Sequence, residues 1–450
     1  MRAIPLFLLL TLAAACAPVR PEADFGKVSD IAQERLGQRP LWRLTPEDEA
    51  FARAEVQAVL SRGVGQREAV RLALFNNAGV QARFEEIGAA RADVVQAGLP
   101  RNPSLGVLLG FPLFQGGPLA ALAAQAMVSI SDLAEVKDRT AKAQAELERD
   151  ILLVGKAAMD AARDARLAWL ECAYAQRAEA LARDVARRAE KLSAEAARYR
   201  NFGLADEGRV AALEAAAAKA ALEVSALRSR AAVAKARLGR AMGLEGAQSF
   251  ELAEEAADKS EPLPDRDVAV AYAVEHSLEA LAARHALDAA RSGRALEGVR
   301  WLKDFEIGAG YDYDIEGNRT LGPMASLKLP LFDRNQAQRA RADYLVRRAQ
   351  RLAEDARSEA AEHALRALEE ASLARERAEA LSSRVLPPSE RAAAWAARYA
   401  RAMQLSDLEA LHAELDLLRA RLEHNEALKE ERQALVRLEH ALGGPVGARP

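Results

Sequence analysis

The residues that could do chemistry in this chain do not assemble into a reactive site. Its six histidines are scattered and its two cysteines, Cys16 and Cys172, lie far apart. There is no H-E-x-x-H, no C-x-x-C and no glycine-rich phosphate loop following a strand. His412 stands three residues after Glu409 on a helical pattern, a spacing that could hold a metal, although an exposed or interhelical pair explains it better. The six methionines show no clustering along the chain. No enzymatic activity, cofactor or resident metal is expected, and function has to come from shape.

Composition points to what that shape is made of. Of 450 residues, 29% are charged and only 5% aromatic, while alanine, leucine, arginine and glutamate fill long tracts. That mixture favours long helices packed through small residues. The formal net charge is −3 and the arginines are interspersed with glutamates, so nucleic acid is not an expected partner.

Residues 1–15, "MRAIPLFLLLTLAAA", carry a basic start, an apolar run too short to span a bilayer and small residues before Cys16, and so read as an export signal. Two processing routes stay open. Ala13-Ala14-Ala15 suits the ordinary peptidase, whereas small residues before a cysteine suit lipidation of Cys16, which gives an otherwise purposeless cysteine a role. Cys172 falls inside a helical tract and reads as a small buried apolar residue.

Laid on itself with a shift of 200 residues, the chain matches at both ends of a long unit: Gly98 with Gly298, Arg198-Tyr199 with Arg398-Tyr399, and "RLGRAMG" with "RLEHALG". It therefore reads as a tandem duplication. A lipid-anchored extended segment at 16–60 precedes repeat 1 at 61–249. An acidic, proline-containing connector at 250–267 leads to repeat 2 at 268–443, and 444–450 form a tail.

Each copy opens on a helical tract and continues into two strands, at about 104–112 and 123–132 in the first and about 304–314 and 323–332 in the second. These strands have two faces. Leu105, Val107, Leu109 and Phe111 share one face of the first strand, and in the second Ala126, Val128 and Ile130 stand opposite Gln125, Ser129 and Ser131. Phe305, Ile307, Ala309, Tyr311 and Tyr313 alternate with Glu306, Gly308, Gly310 and Asp312, and Leu327, Leu329 and Leu331 alternate with Ser326, Lys328 and Pro330. Long helical tracts follow with no separating loop, about Leu133 to Arg200 and Asn335 to Met403, the second interrupted at Pro387-Pro388. Near 70 helical residues would extend about 100 Å, too long for a globular domain. Turns at about 200–206 and 400–407 return each chain into a further helix.

Four strands are too few to close a barrel, which needs about eight, so the hairpins must find partners in other copies. Apolar and polar faces suit an outer-membrane barrel with lipid outside and water inside. A small soluble sheet packed on a helix is the alternative.

From about residue 60 to Gly443 the sequence resembles the TolC-like outer-membrane efflux channels. The stretches that carry the likeness are "ALFNNAGVQARFEEIGAARADVVQAGLPRNPSL" (Ala73 to Leu105), "LPLFDRNQAQRARA" (Leu329 to Ala342), "RYRNFGL" (Arg198 to Leu204) and "VLPPSERAAAWAARYARAMQLSDLEAL" (Val385 to Leu411). The "PLFDRNQ" run is reminiscent of the branch associated with heavy-metal exporters. The resemblance implies a mainly α protein with a small transmembrane β part. A homotrimer would share a 12-stranded barrel in outer-membrane lipid, continued by a periplasmic α-helical barrel. It also implies a periplasmic adaptor (membrane fusion) protein and an inner-membrane pump of RND or ABC type as partners. A periplasmic adaptor or coiled-coil scaffold lipoprotein is the rival reading.

In the family a tyrosine, a glycine and a Ser/Thr-x-x-Asp/Glu run mark the turn between the long helices. Tyr199, Gly203 and Leu204 match in the first copy, and Tyr399, Ser406 and Glu409 in the second, with Ala402 near the glycine position. The resemblance makes Asp407, Glu409, Asp206 and Glu207, with Tyr399, candidates for a periplasmic gate, where three copies of a carboxylate would face one axis. The same acids could instead simply favour the helix N-termini that follow. Gly203 and Leu204 are candidates for adaptor docking, although a glycine ending a helix explains Gly203 as well.

Overall fold

The architecture is that of a computed structural model, which describes residues 18–110, 121–203, 205–244, 249–253, 262–300, 305–313, 316–405 and 407–444. The signal at 1–15, Cys16, Leu204, Ser406 and part of the expected connector lie outside these residues. The chain forms two compact units. One gathers residues up to Val28, Phe84–Val154 and Leu278–Ser358; the other gathers Ser29–Arg83, Gly155–Ser277 and Glu359–Pro450.

Short helices come first: α1 (Glu22–Leu36), α2 (Pro46–Arg62), α3 (Gln66–Asn76) and α4 (Ala78–Gly98). Strands β1 (Ser104–Gly110) and β2 (Ala121–Ser129) follow, then α5 (Ile130–Asn201, 72 residues) and α6 (Glu207–Ala241). The same order recurs in α7 (Arg266–His276), α8 (Leu278–Val299), β3 (Glu306–Tyr313), β4 (Arg319–Ser326) and α9 (Gln336–Ala380). A π-helical turn at Leu381–Val385 leads into α10 (Leu386–Arg401), and α11 (Asp407–Leu442) closes the series.

In the first unit the four strands form one antiparallel sheet in the order β1-β2-β3-β4. Beside it, α1 is pinned to α4 by a two-pronged pair between Asp24 and Arg91, at 2.5 and 2.6 Å, and by an edge-to-face contact of Phe25 with Phe84. The passage from β2 to α5 is direct, as the sequence suggests: Ser129 is the last strand residue and Ile130 the first helical one, its N–H donating to the carbonyl of Phe305 at 2.9 Å. Asp132 accordingly belongs to the helix rather than the strand.

The second passage differs from expectation. β4 lies at Arg319–Ser326, and 327–335 is irregular, so Leu327, Leu329 and Leu331 are not strand residues. The turn before β4 is made by Gly317 at φ 87°, which starts the strand earlier than its hydrophobic alternation indicates. Beyond Ser326, Pro330 lacks the N–H a ladder needs, and Asp333 accepts from the N–H of Asn335 at 2.9 Å, coiling the chain into a helix start. The alternation Leu-Lys-Leu-Pro-Leu is real, but it lies outside the strand.

The second unit is built around apolar helix faces. Trp169 of α5 is buried and donates through Nε1 to the carbonyl of Val64 at 2.8 Å, and Val64 in turn bridges to Leu252. Cys172 lies fully inside this core, and burial pushes its thiol up to about 11. Gly243 and Gly443 end α6 and α11 in left-handed conformation, at φ 70° and 79°. The first packs where α3 breaks into α4, and a Cβ on Gly243 would stand 2.5 Å from the carbonyl oxygen of Asn76. Asn76 and Asn77 seal the break by donating to the carbonyls of Gly243 at 2.7 Å and Ala241 at 3.0 Å. The Gly243→Ala variant should therefore lose about 2 kcal/mol or more, read as a lowered unfolding midpoint.

Candidate functional site

Three features carry the arrangement that function can use: the faces of the sheet, the charged foot beneath it and the helix tips. The strand register places Leu105, Val107 and Leu109 beside Ala126, Ala124 and Leu122. These in turn stand beside Ala309, Tyr311 and Tyr313, and the face ends on Pro323, Leu321 and Arg319. One apolar face thus runs across all four strands and is left uncovered, with Leu105 76% and Leu321 78% exposed. The opposite face carries mainly polar and small residues, Ser104, Gly106, Gln125, Ser129, Glu306, Gly308, Gly310, Asp312, Thr320 and Gly322, interrupted by Leu108, Ala123, Met127 and Met324. Among the described residues neither β1 nor β4 has a partner on its outer edge.

At the foot of the sheet, each strand-to-helix passage is fixed by one buried polar side chain. Asp132 accepts from the backbone N–H of Arg101 at 2.7 Å and from Arg139 at 2.8 Å; Arg139 also donates to the carbonyls of Ala97 and Leu99 at the end of α4. Burial alone would raise the Asp132 pKa. The hydrogen bonds from Arg139 and Arg101 outweigh it and hold the carboxyl below the usual carboxylate range. In the second passage Asn335 is buried in left-handed conformation, φ 61°. It donates to the carbonyl and carboxylate of Glu297 at 3.0 and 2.7 Å. Glu297 also accepts from Arg300, which reaches Glu135 on α5 at 3.2 Å. The long helices are thereby tied to the helices that lead into the strands.

At the first tip α5 ends at Asn201 and Gly203 turns the chain at φ 69°, its N–H donating to the carbonyl of Arg200. Asp206 caps α6, accepting from the N–H of Arg209 at 2.8 Å, and Glu207 pairs with Arg200 at 3.3 Å. Asp206 thus caps the helix, and Glu207 pairs back across the turn. At the second tip Met403, not Ala402, occupies the glycine-like position, with φ 57° and 94% exposure. Its N–H donates to Ala400 and that of Gln404 to Tyr399, closing α10 in a turn normally made by glycine and costing about 1 kcal/mol in a methionine. Tyr399 is half-buried and stacks on Trp395 at 4.4 Å. Asp407 opens α11, with its side chain outside the described residues, and Glu409 is exposed on the first turn.

An apolar cluster with Leu411 at its heart joins the starts of α11 and α6 through Val210 and Leu213, and Arg188 pairs with Glu414. It brings the two acidic helix starts onto one patch of the second unit. Sequence reading missed two exposed apolar residues, Phe202, which precedes the αL Gly203, and Met403, which is itself the αL residue at the second tip; the residue before a turn glycine, and the position 200 on from that glycine, were the available signals. Among the described residues no helix is long and apolar enough to cross a membrane, and no three His, Cys, Asp or Glu side chains gather where a metal could sit.

Replacing Asp132 by Asn should cost about 2–4 kcal/mol, since it leaves Arg139 and two buried hydrogen bonds without their charge. Because the folded pKa is depressed below 3.8, the stability this group adds is complete above that value and is lost as pH falls through the lower folded one. Acid unfolding of the variant should lack that limb; an unchanged acid limb would assign the charge no role.

No protein-family model matches the sequence, and no curated protein matches it either. Solved structures do match in fold. The CmeC outer membrane channel of Campylobacter jejuni superposes with a TM-score of 0.72 at 13% identity, over 84% of this chain and 85% of that one. The MtrE outer membrane channel of Neisseria gonorrhoeae, in its open state, gives 0.67 at 17% over 85% and 89%. The outer membrane protein VceC of Vibrio cholerae gives 0.65 at 16% over 90% and 100%. On this likeness the chain has the fold of the TolC-like outer-membrane channels.

Proposed function

We propose that the protein is the outer-membrane exit duct of a tripartite efflux system, passively conducting what a pump and a periplasmic adaptor deliver. It is a homotrimer whose copies, built from tandem repeats, pool four strands each into a 12-stranded barrel. The helices continue that barrel through the periplasm, and lipid on Cys16 anchors it. The observation that carries this reading is the four-stranded sheet with one bare apolar face, one polar face and two open edges. Such a sheet is costly in water, whereas closure against two further copies in lipid satisfies every edge and hides the apolar face. The outer-membrane names of the structural neighbours support the same reading.

Adaptor docking falls to the tips, to Gly203 with Leu204, and to the exposed apolar side chains of Phe202 and Met403. The pump, of RND or ABC type, would set the substrate. Gating falls to the acids that open α6 and α11, Asp206 and Glu207 with Asp407 and Glu409, together with Tyr399. Three copies of each would repel one another around an axis, so small helix shifts would change the bore.

Two experiments test the reading. Leu105→Arg, on the apolar face, should cost about 2–4 kcal/mol in the bilayer and deplete the heat-sensitive trimer from outer membranes, while Thr320→Arg, on the polar face, should leave it in place. A soluble monomer for the unmodified protein would sink the duct. Neutralising Asp407 and Glu409 together should alter cation block in single-channel recordings, and unchanged recordings would reduce those acids to helix-start residues.

A further inference from the structure

Between α5, α8 and α9 the first unit holds an open trough of about 870 Å³, within the size of small-molecule sites. Six cationic side chains and three acidic ones line it. Its two walls come from the two repeats and carry the same stripe: Lys142, Arg149 and Leu153 on α5 are answered, at the same spacing, by Arg341, Arg348 and Leu352 on α9. Steps of seven and four residues keep each set on one helix face. The two stripes also stand level. The stem of Lys142 lies over Gly293 of α8, its Cδ 3.7 Å from where a Cβ would be, and the next residue, Arg294, pairs with Asp343 of α9 at 2.6 Å. One heptad on, the helical rise puts Arg149 and Arg348 level with Ala286 of the oppositely running α8, and the two leucines follow one turn later.

Most of these charges are spoken for, but two are not. Arg139 is held by Asp132, Arg300 by Glu297, Lys142 lies 3.7 Å from Glu146, and Arg149 pairs with Asp150 at 2.7 Å. The third acid, Glu279, stands at the leucine end of the trough. Among the described residues Arg341 and Arg348 have neither an ion pair nor a hydrogen bond, and both are exposed. They stand about 10 Å apart along α9, a gap that two long side chains close from either side, and exposed Leu345 lies between them. We propose that this trough binds a small organic anion, its carboxylate or sulfonate held between Arg341 and Arg348 and its apolar body lying along Leu345, Leu352 and Leu153. Guanidinium forks match such a head group, and covering the exposed leucines supplies the apolar part. The same walls repel metal cations. The binding rests on the first unit alone, so it stands or falls separately from the duct reading.

The test places the full-length protein in phosphatidylcholine nanodiscs with decanoate that carries a diazirine in its chain, and maps the adducts after irradiation by mass spectrometry. Adducts should fall on Leu345, Leu352 and Leu153. Octanesulfonate in excess should suppress them, whereas octyltrimethylammonium should not; this map and this competition need no variant. Arg341→Glu combined with Arg348→Glu removes two charge-assisted hydrogen bonds and should weaken labelling at least about tenfold. The corresponding double lysine variant keeps the charge and should keep the labelling. Adducts confined to other elements, labelling unchanged in the glutamate variant, equal suppression by the cation, or displacement by phosphatidylglycerol introduced into the discs, which would make the occupant a membrane lipid, would each overturn the site.

Discussion

Unsatisfied backbone along the outer edges of β1 and β4 is the constraint on which the rest of the structure depends. A strand edge is a row of donors and acceptors, and in an isolated four-stranded sheet two such rows stay open. Nothing in the described chain covers them, and the apolar face beside them is equally bare. The features of the first unit make sense as ways of holding such a sheet ready for pairing: an antiparallel register that runs across all four strands and a charged foot beneath it. Edge strand β4 even carries Pro323, tolerable only because a missing donor on that strand can point outward.

The two passages from strand to helix solve one problem by different chemistry. At Asp132 a charge is buried, and two arginines and the end of α4 are drawn onto it, so the helix starts at once. At Asn335 a neutral amide does the anchoring, through Glu297, and the chain needs nine irregular residues and a left-handed turn to reach the helix. The sheet is held at similar places by both, although one start is electrostatic and the other conformational.

Much of this was legible in the residues. Alternation revealed the faces of β1, β2 and β3, because a period of two is a direct image of the pleat. It misled at Leu327, Leu329 and Leu331, where the same period occurs in a segment that has no neighbouring strand to bond; periodicity reports side chains, not pairing. The first tip was readable from Gly203. At the second turn the left-handed residue was not readable, because it is Met403, and a strained non-glycine leaves no compositional mark.

The π-helical turn at Leu381–Val385 arises because Pro387 and Pro388 donate no N–H, so the ladder steps over a residue and Leu386 bonds back to Leu381. Along α9 the most sheltered positions run 360, 364, 367, 371, 374 and 378, an alternation of four and three that would continue to 385, 388, 392, 395 and 399. Beyond the π turn they fall instead on 386, 389, 393, 396 and 400. One skipped residue has rotated the seam by about 100°, one helical step. Trp395 and Tyr399, due to be interior by the original phase, are carried off the seam, and Trp395 ends 53% exposed beside the tip. Two prolines thus decide, from several turns away, which way an aromatic pair faces.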